Sequence, residues 1–145
     1  MKKIYKIGFF GDDVWAHKAL DYLLKDKSII ERIEILPYIS HEEAIKHILE
    51  SEIGILVNSE KNIHSTRYTS PLKYFEYLYA GLSIVAVNFK AHKILPYSES
   101  INFFDIDNKN QFIEAILKAS VNYDIDKNRL TLDFRSKKII YFLPN

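Results

Sequence analysis

The sequence predicts an α/β domain built on a doubly wound, Rossmann-like parallel sheet. Short apolar segments alternate along the chain with segments whose apolar residues recur at helical spacing. The strand-like segments, such as "IGILV" at 53–57, are apolar at consecutive positions, which is typical of strands buried on both faces. Strands of this kind join through right-handed helical crossovers into a parallel sheet. The length of 145 residues suits a single domain spanning 1–145.

The first part of the chain supplies two predicted strands and two predicted helices. Residues 4–10 form a strand that is closed by Gly11 and the Asp12/Asp13 pair, and residues 15–25 form a helix with one apolar face. A second strand covers 33–38. The next helix has Ser40 as its N-cap with Glu43 three residues later, the pattern of a capping box.

The remaining elements continue the alternation. We predict a strand at 53–57, a helix at 71–80 that ends at Gly81, strands at 84–87 and 101–106, and helices at 109–119 and 135–143. Helical spacing predicts the buried side of three of the helices: Ala44, Ile45, Ile48 and Leu49; Leu72, Phe75, Leu78 and Tyr79; and Phe112, Ile113, Ile116 and Leu117.

Charge and composition exclude several classes of function. Twenty Lys and Arg residues against nineteen Asp and Glu give a net charge of +1, so no long-range field favours nucleic acid or an anionic membrane. The chain has no cysteine, which excludes disulfides and thiolate chemistry. The apolar run near the amino terminus is too short for a signal segment or a membrane span. We therefore expect no transmembrane segment and favour a cytoplasmic location.

Sequence motifs argue against four common kinds of site. Neither a dinucleotide-binding glycine fingerprint nor a P-loop occurs. The five histidines include no pair at i, i+4, so we expect lone surface histidines and no metal site. The segment "GFFGDD" suggests the acidic pocket of a receiver domain, with Asp12 or Asp13 as phosphoacceptor. The third predicted strand, however, is followed by Asn58 where that reading needs an aspartate.

The start of the helix at 71–80 is the strongest candidate site. Thr69 and Ser70 can cap this helix, and Pro71 suits its first position. In a parallel sheet such a helix begins at the carboxyl edge, where its free amides and its dipole favour a phosphate or a diphosphate. Lys73 can add a full positive charge there.

Glu76 lies one turn further along the same helix. A carboxylate accepts two hydrogen bonds side by side, which matches the two hydroxyls of a ribose. An i, i+3 ion pair with Lys73 on a solvated face accounts for Glu76 equally well. The residues alone leave both interpretations open.

The segment "SPLKYFEYLYAGLSIVAVNFKAHKIL" resembles the signature of the carboxyl-terminal, donor-binding domain of GT-B-fold glycosyltransferases of retaining family 4. The segments "ERIEILPYISHEEAIKHILESEIGILV" and "DFRSKKIIYFL" are similar to the elements that precede the signature and close the domain. The resemblance covers roughly residues 4–143 and is strongest over 70–95.

The resemblance implies a donor site for a UDP- or GDP-sugar that needs no metal and no other cofactor. It assigns Glu76 to the ribose and the loop of Tyr38 and Ile39 to the base. It assigns the diphosphate to Ser70, Leu72 and Lys73, of which Leu72 and Lys73 contribute backbone amides. The implied product is a hexose transferred to a glycan or lipid acceptor, and no residue of this chain is assigned as catalytic.

Three departures from the family pattern limit these implications. Many members have a second Glu eight residues before the first, and this chain has Tyr68 there, so recognition of the sugar stays unassigned. The basic residue that neutralises the diphosphate is not securely placed; Lys18 is a candidate if 4–10 is the first strand of the domain. We prefer 4–10 as the second strand, in which case the first βα unit is absent.

The sequence therefore supports two main hypotheses. The first is the donor half of a glycosyltransferase, without its amino-terminal acceptor domain and inactive alone. An amino-terminal glycosyltransferase half is its candidate partner, and a membrane-peripheral location is an option for the full enzyme. The second is a non-catalytic α/β module that binds a nucleotide or a protein partner, with Glu76 in a surface ion pair. Transfer requires the cleft between two domains, because charge on the departing diphosphate has to be stabilised there.

Overall fold

The structure, a computed structural model, describes residues 7–8, 36–58, 60–61, 63–68 and 72–119. The predicted helices at 15–25 and 135–143 lie outside these residues. The described elements follow one another in this order: β1 (Ile7–Gly8), α1 (His41–Leu49), β2 (Ile53–Leu56), α2 (Ile63–Arg67), α3 (Leu72–Ala80), β3 (Ser83–Val87), α4 (Lys90–Lys93), a 3₁₀ turn (Ser98–Ser100), β4 (Ile101–Phe104) and α5 (Lys109–Lys118).

The described strands form one parallel sheet of four strands in the order β1-β2-β3-β4. β1 pairs with β2 at Ile7 opposite Ile53, and β2 pairs with β3 at Ile53 opposite Ser83. β3 pairs with β4 from Ile84 opposite Ile101 onward. The predicted α/β class and the parallel pairing are confirmed for these strands.

Helices pack against both faces of the sheet. Residues at alternating positions of β3 divide between two hydrophobic clusters, with Ile84 and Ala86 in one and Val85 and Val87 in the other. The first cluster includes buried residues of α1 and α3, and the second includes Ala115 of α5. Since strands covered on both faces have no solvated side, their continuous apolar sequence is explained.

The predicted capping box at the start of α1 is present. The N–H of Glu43 donates to Ser40 Oγ at 3.2 Å, and the N–H of Ser40 donates to Glu43 Oε2 at 2.9 Å. The bonds to Glu43 from the Ser40 backbone and hydroxyl hold the pKa of its carboxyl below the usual value. Ile48 of this helix is buried as predicted, whereas Leu49 is exposed and its predicted burial is wrong.

The predicted end of α3 at Gly81 is also confirmed. Gly81 has a φ of +79°, which a glycine adopts without strain. The N–H of Gly81 donates to the carbonyl of Leu78 at 3.0 Å, and that of Leu82 to the carbonyl of Tyr77 at 3.0 Å. This pair of bonds is a Schellman motif, which satisfies the last carbonyls of the helix.

The buried side of α3 differs from the prediction. Leu78 is buried as predicted and Phe75 packs against the first cluster, but Leu72 and Tyr79 are exposed by 70% and 58%. Tyr74 and Tyr77 are buried in their place. The helix is rotated so that two tyrosine rings face the sheet, and the Tyr74 hydroxyl donates to the carbonyl of Pro96. The ring of a tyrosine can be buried like a leucine side chain when its hydroxyl reaches a hydrogen-bond acceptor. The sequence prediction placed neither Tyr74 nor Tyr77 on the buried side.

Two other predictions need correction. The strand expected at 33–38 does not include its last residues, because residues 36–38 are irregular; Pro37 has no N–H to contribute to a ladder. Residues 33–35 lie outside the described residues. In α5, Phe112 and Ile116 pack against the second cluster as predicted, beside the buried Ala115, whereas Ile113 and Leu117 are exposed and their predicted burial is wrong.

Candidate functional site

Two helices of the first face begin at the same edge of the sheet. α3 ends at Ala80 and β3 begins at Ser83, so the end of α3 lies at the edge where the strands start. The start of α3 at Leu72 therefore lies at the opposite, carboxyl edge. The same reasoning places the start of α1 at this edge, because α1 ends at Leu49 and β2 begins at Ile53. In open α/β sheets ligands bind at this edge.

A contact between the two helices brings the first residue of α1 beside the second turn of α3. His41 Nε2 lies 3.9 Å from Glu76 Oε1. The Glu76 side chain is 17% exposed and that of His41 is 75% exposed. The carboxylate of Glu76 is thus accessible but sheltered, on the side of α3 that faces α1.

The loop predicted to lie by the base leads directly into α1. Tyr38 and Ile39 precede the N-cap Ser40, and Tyr38 is fully exposed. Because His41 contacts Glu76, this loop and the Glu76 carboxylate lie at one place on the sheet edge. An exposed tyrosine ring there can stack on a planar heterocycle.

The residues predicted for the diphosphate lie only partly within the described residues. Leu72 is the first described residue of α3, and its side chain is exposed. Lys73 follows it and is partly buried. Ser70 lies outside the described residues. The first amides of a helix lack partners within the helix and attract anions, so the start of α3 suits a phosphate group.

A second polar feature joins the ends of β2 and β3. His92, in α4, is completely buried, and its Nδ1 lies 2.8 Å from the carbonyl oxygen of Val87. Its Nε2 lies 3.3 Å from Asn58 Nδ2, and its ring stacks on Phe89 with centroids 5.8 Å apart. The expectation of a surface histidine is therefore wrong for His92. Burial lowers its pKa, although the hydrogen bond to Val87 opposes this shift.

The ends of β3 and β4 are joined by a separate set of hydrogen bonds. Asn88 Nδ2 donates to Asp105 Oδ1 at 2.8 Å, and the N–H of Asp105 donates to Gln111 Oε1 at 2.8 Å. The Asn88 N–H also donates to the Phe104 carbonyl at 2.8 Å. These bonds hold the Asn88 carboxamide on Asp105, on the β4 side of the edge.

Tyr68, for which the sequence left a role in sugar recognition unassigned, follows α2 and is 67% exposed. Its ring contacts the ring of His64 edge-on, with centroids 5.8 Å apart. Its side chain offers an aromatic ring and one hydroxyl at this position.

Several predictions concern residues or groups that the described part of the chain does not contain. Asp12, Asp13 and Lys18 lie outside it. Within it, no three histidine, aspartate or glutamate side chains lie close enough together to hold a metal ion. None of its helices is both long enough and apolar enough to cross a membrane.

Comparisons with protein-family models, with curated proteins and with solved structures found no match to this chain. Function therefore has to be inferred from the site itself.

Sequence reasoning missed three residues at this edge. His41 contacts Glu76, and Asn58 and His92 form a pair between strand ends. The available signal was weak: "NFKAHK" follows a buried strand, and a histidine three residues into the next helix can turn back on that strand. Asn58 attracted notice in the sequence only because a receiver domain would have an aspartate at that position.

Proposed function

We propose that this chain is the donor-binding half of a GT-B-type, retaining family 4 glycosyltransferase that binds a UDP- or GDP-sugar. The observation that carries the proposal is the 3.9 Å contact between His41 and Glu76. It brings the Tyr38–Ile39 loop, assigned to the base, beside the carboxylate assigned to the ribose. Two assignments from distant parts of the sequence thus converge at one edge, where the fold class binds its ligands.

The geometry is consistent with the order in which such a donor is built. Base, ribose and diphosphate would extend from Tyr38, past Glu76, to the start of α3 at Leu72 and Lys73. Glu76 lies one helical turn from Leu72, a rise of about 6 Å. This spacing suits a nucleoside whose ribose and phosphate are held by the same helix.

The strand pairing bears on where the ligand crevice lies. β1 pairs directly with β2 in parallel. In a doubly wound sheet, ligands bind where the strand order reverses, outside the carboxyl ends of the strands. A crevice beside β2, next to the starts of α1 and α3, is consistent with this pairing.

The chain is proposed to bind the donor without completing the transfer. Transfer by this class of enzyme takes place in a cleft between two domains, where water is excluded and the developing charge on the diphosphate is stabilised. An acceptor-binding domain would supply the second wall of that cleft. The cytoplasm is the proposed location, since a chain without cysteine needs no oxidising compartment.

Calorimetric titration of the full chain with UDP and with GDP tests this proposal. One of the two nucleotides should bind, and Glu76→Ala should weaken that binding by roughly tenfold to a hundredfold, the usual effect of losing a charged hydrogen-bonding partner. Glu114→Ala is the matched control, because Glu114 is an exposed glutamate of α5 paired with Lys118 at 3.7 Å. Absence of binding by either nucleotide at millimolar concentration would contradict the proposal.

The exposed side chains at the same edge favour a second candidate function, a non-catalytic module that binds a protein partner. Tyr38 and Leu72 are both highly exposed beside the helix starts. In that case Glu76→Gln leaves nucleotide titrations unchanged, whereas replacing Tyr38 and Leu72 by serine abolishes capture of the partner. Binding of a nucleotide that depends on Glu76 would exclude this alternative.

A further inference from the structure

The Asn58–His92 pair has a defined direction of hydrogen bonding. A carbonyl oxygen only accepts hydrogen bonds, so the 2.8 Å contact between Val87 O and His92 Nδ1 places the ring proton on Nδ1. The Nε2 atom of the neutral ring then carries a lone pair and accepts from Asn58 Nδ2 at 3.3 Å. The histidine therefore determines which end of the Asn58 carboxamide faces inward.

The other end of that carboxamide is an acceptor. With Nδ2 committed to His92, Asn58 Oδ1 points away from the ring, and Asn58 is only partly buried. Within the described ranges the structure gives Asn58 Oδ1 no hydrogen-bond donor. A partly exposed carbonyl oxygen of fixed orientation can accept from a ligand hydroxyl, whereas it repels a phosphate oxygen.

The position of Asn58 places this acceptor at the carboxyl edge of the sheet, the edge at which the donor site is proposed. Asn58 follows β2 by two residues, so it lies at the carboxyl edge. β2 is the strand that pairs with β1 on one side and β3 on the other, and the ring of Tyr77 of α3 packs against its Gly54. The crevice of a doubly wound sheet opens beside such a central strand, in front of the helix that follows it.

We propose that Asn58 binds a hydroxyl of the transferred sugar through Oδ1 and that His92 is the positioning residue that holds the carboxamide in this orientation. The inference rests on the proposed donor site. It fills the role left open by Tyr68, where the family pattern has an acid that contacts the sugar. The ligand class is a nucleoside diphosphate joined to a hexose. The nucleoside diphosphate alone lacks the sugar hydroxyl that Asn58 is proposed to bind.

Burial keeps His92 suited to this role. The ring is inaccessible to solvent, and its lowered pKa keeps Nε2 unprotonated through the neutral range. The groups that influence this pKa are the surrounding apolar atoms and the Val87 carbonyl, and no charged side chain among the described residues contributes. A protonated Nε2 would become a donor and would require Asn58 to turn its Oδ1 inward.

The test compares the affinity of a nucleotide with that of its sugar ester. For the nucleotide that binds, UDP would be compared with UDP-glucose, or GDP with GDP-mannose, by calorimetry on the full chain. Asn58→Ala should reduce the ratio of the two affinities by about threefold to tenfold, the usual effect of one neutral hydrogen bond, and leave the nucleotide alone unaffected. Asn88→Ala is the control, because it removes an asparagine of the same edge whose carboxamide binds Asp105.

Two substitutions of His92 separate positioning from packing. In His92→Gln the amide oxygen can occupy the place of Nε2 and accept from Asn58. In His92→Asn the amide nitrogen can occupy the place of Nδ1 and donate to Val87, but nothing accepts from Asn58. Both leave a polar group in the same buried place, so the Gln variant should keep the sugar contribution and the Asn variant should lose it.

The outcomes are distinct from those of the proposed function. Binding of the nucleotide that depends on Glu76, together with a sugar contribution unchanged in Asn58→Ala, overturns this inference and leaves the donor site standing. Equal loss in the two His92 variants assigns His92 to folding and overturns its positioning role. If neither nucleotide binds, both proposals fall. Heteronuclear NMR of the nitrogen-labelled chain gives a second readout. The signals of the Asn58 carboxamide should shift when the sugar ester is added and stay unchanged when the nucleotide alone is added.

Discussion

The aromatic ring of Tyr77 lies directly on Gly54. A Cβ atom at Gly54 would come within 2.4 Å of Tyr77 Cδ2 and 2.6 Å of Cγ. Both residues are buried, one in β2 and the other in α3. The absence of a side chain on the strand lets the helix that carries Glu76 approach the sheet closely.

Gly54→Ala should therefore destabilise the fold. The added methyl group meets the middle of a rigid ring that has no free space to enter, and overpacking of this kind costs about 1 to 3 kcal/mol. Urea unfolding followed by circular dichroism measures the change. The double variant Gly54→Ala/Tyr77→Ala should be less destabilised than the sum of the two single variants, because the clash disappears with the ring. Strict additivity would show that the two residues do not interact.

Gly81→Ala tests a different property of glycine. No atom outside its chain neighbours lies within 4 Å of a Cβ built at Gly81, so there is no clash, but the φ of +79° is unfavourable for an L-residue. We expect a loss of about 1 kcal/mol that has a conformational origin. Gly81→Asn, measured beside it by urea unfolding, should lose less, because asparagine tolerates this region better than alanine. Equal stabilities of the alanine variant and the wild type would contradict the Schellman geometry.

Ser40→Ala should weaken the start of α1. The substitution removes the hydroxyl that accepts from the Glu43 N–H and donates to Glu43 Oε2 at 2.9 Å. Loss of an N-cap typically costs about 1 kcal/mol, readable as a lower midpoint of thermal unfolding. Ser98→Ala is a control on another exposed serine hydroxyl, which donates to the Lys93 carbonyl and caps no helix amide. A larger loss in the control would count against the capping role.

The capping box also predicts a dependence on pH. The pKa of Glu43 is lowered in the folded chain, mainly by the hydrogen bond from the Ser40 backbone. Its contribution to stability is therefore present above the unfolded value and is lost as the pH falls through the folded value. Glu43→Gln, which cannot ionise, should remove this dependence on the acid side, whereas Ser40→Ala keeps the backbone N–H and should reduce it only in part. Unfolding curves between about pH 3 and 5 would show both effects. An unchanged acid profile in Glu43→Gln would contradict the assignment.

His92 predicts a loss of stability at mildly acidic pH. Burial lowers its pKa in the folded chain, whereas the unfolded chain has an ordinary histidine with a pKa of about 6.5. Below that pH the unfolded state binds more protons than the folded state. The free energy of unfolding therefore has the full contribution of neutral His92 above about pH 6.5 and falls as the pH decreases. His92→Gln, which cannot titrate, should flatten the urea-unfolding free energy between about pH 5 and 7. Parallel pH profiles of the two proteins would contradict the buried, neutral state.

Local sequence signals were sufficient for the helix and strand positions that depend on neighbouring residues. Ser40 and Glu43 specify the start of α1 because they bond to each other across one turn. Gly81 specifies the end of α3 because few other residues adopt its φ. The continuous apolar run at 53–57 indicated a strand covered on both sides, which the two hydrophobic clusters confirm.

Burial within each helix and the contacts at the site depend on tertiary packing. Leu72 is exposed and Tyr77 is buried because the crossover fixes the rotation of α3 against β2 and β3, and Gly54 leaves room for the ring. His41 meets Glu76, and Asn58 meets His92, only after parallel strands bring distant segments to one edge. The α/β alternation, the caps and the candidate acid at Glu76 could be predicted without coordinates, because they follow from short-range bonding and periodicity. The partners of these residues depend on long-range packing, which no local pattern records.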